Sequence, residues 1–347
     1  MYKKVLKLCL KDENLSLLEN NSSSANIDSL YLLKAITDQS MQNSVRKLDT
    51  SDCLIETVKI QADDHYSLTG ILYSSKNPIK AKIIVASATG VPQLFYRRFS
   101  EYAVQQGFQV LSFDYRGVAQ SAPQSLKGFE MSYLDWGTLD LSAAIDYISD
   151  DVTPLFVVGH SYGGQALGLT NNHHKVKAMY CFGTGAGWAG YMPFKERFKV
   201  QVMWNIIFPP LVALNGYLPW SKMNMGADLP LGVYQQWRKW CKWCKHPTYF
   251  FADPAQHELK NRYAQVKSII YAVSAVDDDW ALPQSREAFM RHYTHAELHF
   301  LNISAEEYQL KEIGHMGYFR KGAEPIWDEM FKCLMCAEKT GGFNLVN

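Results

Sequence analysis

The sequence carries almost no net charge: 35 lysines and arginines against 34 aspartates and glutamates leave +1 over 347 residues. No whole-molecule field therefore recruits nucleic acid or an anionic membrane, and no nucleic-acid partner is expected. Cysteine is sparse and odd in number, seven scattered through a chain too long to need disulfide staples. A reducing, cytoplasmic location is the expectation. The N-terminal Met1-Tyr2-Lys3-Lys4-Val5-Leu6 opens like a secretory leader, but Lys7 and Lys11 interrupt the apolar run. Long hydrophobic runs are missing as well. The longest uncharged stretch, Val200 to Trp220, contains Pro209-Pro210 and several polar amides. A stable membrane span is not expected there, and the stretch reads as buried or substrate-facing. Proline and glycine are low, and no internal repeat or low-complexity tract is present.

What is present is an ordinary globular composition, 47% hydrophobic and 20% charged, long enough to bury a catalytic site. Residues 1–50 read as a peripheral extension, with a polar linker at Asn20-Asn21-Ser22-Ser23-Ser24 and a short helix over Leu30 to Thr37. Beyond them the pattern turns regular. Glu56–Gln61 and Tyr66–Tyr73 form an expected hairpin around Asp63-Asp64-His65. Lys82–Ser87 is a continuous β-branched run, the mark of a strand buried on both faces. A helix (Leu94–Gln106), a strand (Gln109–Phe113), a helix (Leu139–Ser149) and a strand (Leu155–Val158) follow, then a helix from Ser161. Val176–Phe182, Ser268–Ser274 and Leu298–Ile303 complete the strands. Such alternation predicts an α/β fold: a mostly parallel sheet flanked by helices. The interval between Phe182 and Ser268 exceeds one crossover, so an inserted helical cap is expected. The expected division is 51–184 and 263–347 for the core, with 185–262 as the insertion.

The chemistry concentrates where a strand runs into Gly159-His160-Ser161-Tyr162-Gly163-Gly164 and a helix follows. This is the strand–turn–helix context of a nucleophile elbow, whose tightness demands residues without a Cβ two positions either side of the serine. Ser161 is the nucleophile candidate, and the Tyr162 amide at the helix start is one oxyanion donor. His160 is too close in sequence to act as its base and reads as a packing or hydrogen-bonding residue. A serine hydroxyl needs an imidazole, and the imidazole an acceptor, in the order Ser, acid, His in this topology. Asp277, Asp278 and Asp279 follow an apolar strand, where such sites form. One of the three is the acid, and the others are expected to cap the helix near Pro283 or face solvent. His315, in Ile313-Gly314-His315-Met316-Gly317 after the last strand, is the base candidate among ten histidines. In the loop Ala88-Thr89-Gly90-Val91-Pro92, Val91 is expected to present the second oxyanion amide, since Pro92 cannot donate.

Together these residues resemble the α/β-hydrolase superfamily from about Glu56 to Cys336. Ala88-Thr89-Gly90-Val91-Pro92-Gln93, Asp114-Tyr115-Arg116-Gly117 and Ile313 through Arg320 look like a poorly characterised group related to serine aminopeptidase and lysophospholipase-like members. The resemblance implies triad roles for Ser161 and His315. It favours Asp278 as the acid, because the family often uses the second of paired aspartates. It also implies a structural turn at Asp114-Tyr115-Arg116-Gly117, although Ala119 stands where a further glycine is usual. Thr89-Gly90 replaces the common His-Gly.

The expected insertion is rich in aromatics, among them Trp188, Trp204, Trp220, Trp237 and Trp240. On a helical wheel Val233, Trp237, Trp240, Cys241 and Cys244 share one face, with Arg238, Lys239, Lys242 and Lys245 opposite. That is a helix packed on the core beneath a basic solvated face, compatible with a lid over an apolar or aromatic acyl pocket. Cys241-x-x-Cys244 and Cys333-x-x-Cys336 lie in helix-like segments, where the spacing puts thiols on a core side, so no metal or cofactor is expected. The leading function is hydrolysis of a carboxylic ester, thioester or amide of a small molecule through an acyl-serine. Acyl transfer by the same triad and a non-catalytic binding scaffold are the alternatives. Haloalkane and epoxide chemistry in this fold uses an aspartate nucleophile, by the same resemblance, so Ser161 counts against both. Substrate identity and oligomeric state are not readable from the sequence.

Overall fold

The computed structural model describes residues 53–241 and 248–339. The expected extension 1–50, and Lys242, Cys244 and Lys245 of the wheel, lie outside them. Eight strands form one sheet: β1 (Cys53–Gln61), β2 (Ser67–Ser75), β3 (Ala81–Ala86), β4 (Phe108–Phe113), β5 (Leu155–His160), β6 (Ala178–Phe182), β7 (Ile269–Ala275) and β8 (Glu297–Ile303). Their order is β1-β2-β4-β3-β5-β6-β7-β8. Only β1–β2 and β2–β4 pair antiparallel. The β-branched run of β3 is buried throughout, as a central parallel strand requires.

The helices are α1 (Arg97–Gln105), α2 (Ser142–Ile148), α3 (Tyr162–Ala166), α4 (Phe194–Val202), α5 (Phe208–Asn215), α6 (Leu231–Trp240), α7 (Leu259–Ala264), α8 (Pro283–Met290) and α9 (Glu324–Lys339). Two expected helices divide. Residues 93–96 wind as a 3-10 turn before α1, and residues 136–141 as a π turn before α2. The chain passes from β3 to β4 on one side and returns to β5 on the other. The strand order thus reverses between β3 and β5, and in open α/β sheets the crevice at such a switch point is the ligand site. The register Ala86↔Gly159 sets the ends of these two strands side by side.

Helices α4 to α7 fill the interval between β6 and β7. Val233, Trp237, Trp240 and Cys241 are buried and Lys239 is exposed, as the wheel predicts. The run from Val200 to Trp220 departs from expectation. Val200, Trp204, Phe208 and Val212 are buried, but Ile206 and Leu214 stand 67% and 81% exposed. A helix presents only one stripe to the core, and here the other stripe is also apolar. Among the described residues no helix is long and apolar enough to cross a membrane.

Candidate active site

Ser161 sits between β5 and α3 with φ 52° and ψ −111°, a region L-residues seldom occupy. The turn is held by Ser161 N–H donating to the Phe182 carbonyl at 2.8 Å and by Thr184 Oγ1 donating to the Ser161 carbonyl at 2.9 Å. Its flanking glycines are there for want of space. A Cβ on Gly163 would stand 1.8 Å from the Ala86 carbonyl oxygen, and one on Gly159 would stand 2.5 Å from the Gly164 nitrogen. Both would collide with backbone that cannot retreat.

The loop after β8 brings His315 to this turn. Its Nε2 lies 3.0 Å from Ser161 Oγ, and its Nδ1 lies 3.0 Å from both Asp278 oxygens. A carboxylate only accepts, so Nδ1 carries the proton and Nε2 is left to accept from the serine hydroxyl. Asp278 is fully buried and also accepts from Trp280 N–H (3.0 Å), Ala281 N–H (3.2 Å) and Tyr318 O–H (3.1 Å). Burial pushes its carboxyl up. The facing His315 and these donors outweigh burial and hold it below the ordinary carboxylate value.

The other two aspartates do not cap the helix at Pro283, which has no side-chain cap. Asp277 grips the histidine loop, accepting from Ile313 N–H at 2.9 Å and Gly314 N–H at 3.0 Å. Asp279 is exposed. His160 is buried, as expected for a packing residue, and is also part of a relay. Ala88 N–H donates to Tyr96 Oη (2.9 Å), Tyr96 O–H to His160 Nδ1 (2.8 Å), and His160 Nε2–H to the His315 carbonyl (2.8 Å). The carbonyl fixes the tautomer, and the relay ties the loop after β3 to the loop after β8. Burial, reinforced by His315, pushes the His160 imidazole down to about 3, so it stays neutral.

A cavity of about 30 Å³ opens beside Ser161. Thr89, Tyr133, Ser161, Tyr162, Gln165 and His315 from the core meet Trp237, Tyr249 and Trp280, with Gly183, Gly185 and Gly187 between them. Val91 was the sequence candidate for the second oxyanion amide, and its placement differs. Its N–H already donates to the Ala88 carbonyl at 3.1 Å, and Thr89 lines the cavity in its stead. Tyr162 is the first residue of α3, so its N–H has no acceptor within the helix. Sequence reasoning also missed Gln165, Tyr133, Tyr249 and Trp280. Gln165 was findable, because it stands one helical turn after Ser161.

Asp114 accepts from Gln93 N–H (2.8 Å) and Gln120 N–H (3.1 Å), and Arg116 pairs with buried Asp140 (2.7 Å) and with Asp64 (2.6 Å). This loop is structural, and Ala119 in it takes φ 42°.

An eight-stranded sheet of this order with a serine, histidine and aspartate meeting at its switch point is the architecture of an α/β hydrolase. The model of the alpha/beta hydrolase family matches residues 83–317, more than half of the chain, and the chain belongs to that family. Several solved structures share the fold at low identity. The Pyrococcus furiosus esterase Pf2001 is similar at 15% identity over 83% of this chain and 91% of its own, with a TM-score of 0.54. DcsB in complex with its substrate analogue gives 17%, 83%, 100% and 0.55. The hypothetical protein PA2218 of Pseudomonas aeruginosa gives 15%, 84%, 97% and 0.55. No curated protein sequence matches the chain.

Proposed function

We propose that the chain is a serine hydrolase that cleaves a carboxylic ester, thioester or amide through an acyl-Ser161 intermediate. The observation that carries this reading is the unbroken contact from Ser161 Oγ to His315 Nε2 and from His315 Nδ1 to Asp278, at 3.0 Å each. His315 takes the hydroxyl proton as Oγ attacks the carbonyl carbon, and returns it to the leaving group as the tetrahedral intermediate collapses. Water, deprotonated by the same imidazole, then releases the acid. Asp278 holds the imidazole and stabilises its charged form.

The oxyanion takes the amides of Tyr162 and Thr89 in this proposal. The cavity position of Thr89 supports it over Val91, whose amide is already engaged. The described residues of the 185–262 insertion act as a lid, with Trp237 and Tyr249 lining the cavity beside Ser161. A fluorophosphonate probe should label wild type at Ser161 and leave folded Ser161→Ala unlabelled. Folded wild-type protein that resists labelling would overturn the reading.

A further inference from the structure

Gln165 is the fourth residue after Ser161, and helical side chains lean toward the N-terminus, so it reaches back toward the nucleophile. It lines the same cavity and is only 5% exposed. Its Nε2 donates to the Gly185 carbonyl at 2.6 Å. A carbonyl cannot donate, so this bond fixes which way round the amide lies and leaves Oε1 purely an acceptor. Oε1 is buried and has no partner. An amide oxygen left unpaired in the interior is unfavourable, and buried polar groups are ordinarily satisfied. Gln165 is itself among the residues lining the cavity, where a ligand would supply the missing donor.

The cavity also restricts what that ligand is. Its volume of about 30 Å³ holds roughly two water-sized groups. No aspartate or glutamate is among the described residues lining it, so nothing there compensates an ammonium group. Because His315 must face the leaving group to protonate it, the cavity floor one turn below Ser161 receives the acyl part. We propose that Gln165 Oε1 accepts a hydrogen bond from a hydroxyl on a short acyl chain, so that the preferred substrates are esters of small hydroxy acids. This specificity rests on the acyl-Ser161 reading above.

The test compares p-nitrophenyl glycolate with p-nitrophenyl propionate, which matches it in size and lacks the donor. Each kcat/KM is divided by the ester's own hydroxide-catalysed rate, which removes intrinsic reactivity. In wild type the corrected ratio of glycolate to propionate should exceed tenfold, and in Gln165→Met it should fall toward one. A corrected wild-type ratio at or below one overturns the proposal and needs no variant to fold. An unchanged ratio in a folded Gln165→Met also overturns it and assigns Oε1 to a buried water. Fluorophosphonate labelling of Ser161 is read in parallel. Labelled enzyme with a ratio of one sinks the Gln165 assignment alone, whereas unlabelled enzyme sinks the triad reading.

Discussion

His160 donates its Nε2–H to the main-chain carbonyl of His315 at 2.8 Å, so the His315 loop rests on a side chain adjacent to Ser161. His160→Phe fills the same space and removes both hydrogen bonds. It should lower kcat by about tenfold, the equivalent of about 1.4 kcal/mol, with KM little changed. Steady-state kinetics on any turned-over ester decides. An unaltered kcat would remove His160 from the support of the site.

The three consecutive aspartates should separate cleanly by amide substitution. Asp278→Asn loses the acceptor that fixes the His315 tautomer and should cut kcat by about 10³- to 10⁴-fold. Asp277→Asn keeps one carbonyl oxygen for the Ile313 and Gly314 amides and should cost about tenfold at most. Asp279→Asn should be silent. Any other ranking moves the acid role.

A crystal structure of the phosphonylated enzyme tests the oxyanion donors. The phosphoryl oxygen should stand about 2.7–3.1 Å from the amide nitrogens of Thr89 and Tyr162. Finding it on Val91 instead would require the Val91–Ala88 turn to open.

Acid should destabilise the fold through His160. Its folded value of about 3 lies below the ordinary 6.5, so between those values the unfolded chain binds the extra proton. Stability attributable to this group is intact above about pH 6.5 and falls by up to about 1.4 kcal/mol per pH unit below it. Urea denaturation at pH 7.5, 6, 5 and 4 should show the fall, shallower in His160→Phe. Parallel slopes would contradict it.

Ala119 offers a stabilising change. Its φ of 42° strains any residue with a Cβ, and its side chain is exposed. Ala119→Gly should raise stability by about 0.5–1 kcal/mol, read from the denaturation midpoint. A lower midpoint would mean that unfolded-chain entropy outweighs the strain.

The sheet was legible because its strands are written as short apolar or alternating runs between turn residues, and all eight fall close to their expected positions. The elbow was legible because glycine at 159 and 163 is a steric demand, not a preference. The loops were less so. Thr89 and Val91 are two residues apart, and only the backbone path decides which of them lines the cavity. Asp277 and Asp278 differ by which way a strand end turns, which no local pattern encodes. Tyr133 comes from the irregular segment between β4 and α2, so nothing in its neighbourhood marks it as a wall of the site. The exposed stripe of Ile206 and Leu214 escaped because an apolar run does not say which of its faces meets the core.

The contact between Ser161 and His315 spans 154 residues of chain. During synthesis Ser161 therefore emerges well before His315, by about 8 to 30 seconds at ordinary elongation rates. Until the loop after β8 docks, the nascent chain holds an elbow serine with no imidazole to deprotonate it. On the proposed reading, acylating power is withheld from the ribosome-bound protein and arrives only when the far edge of the sheet closes.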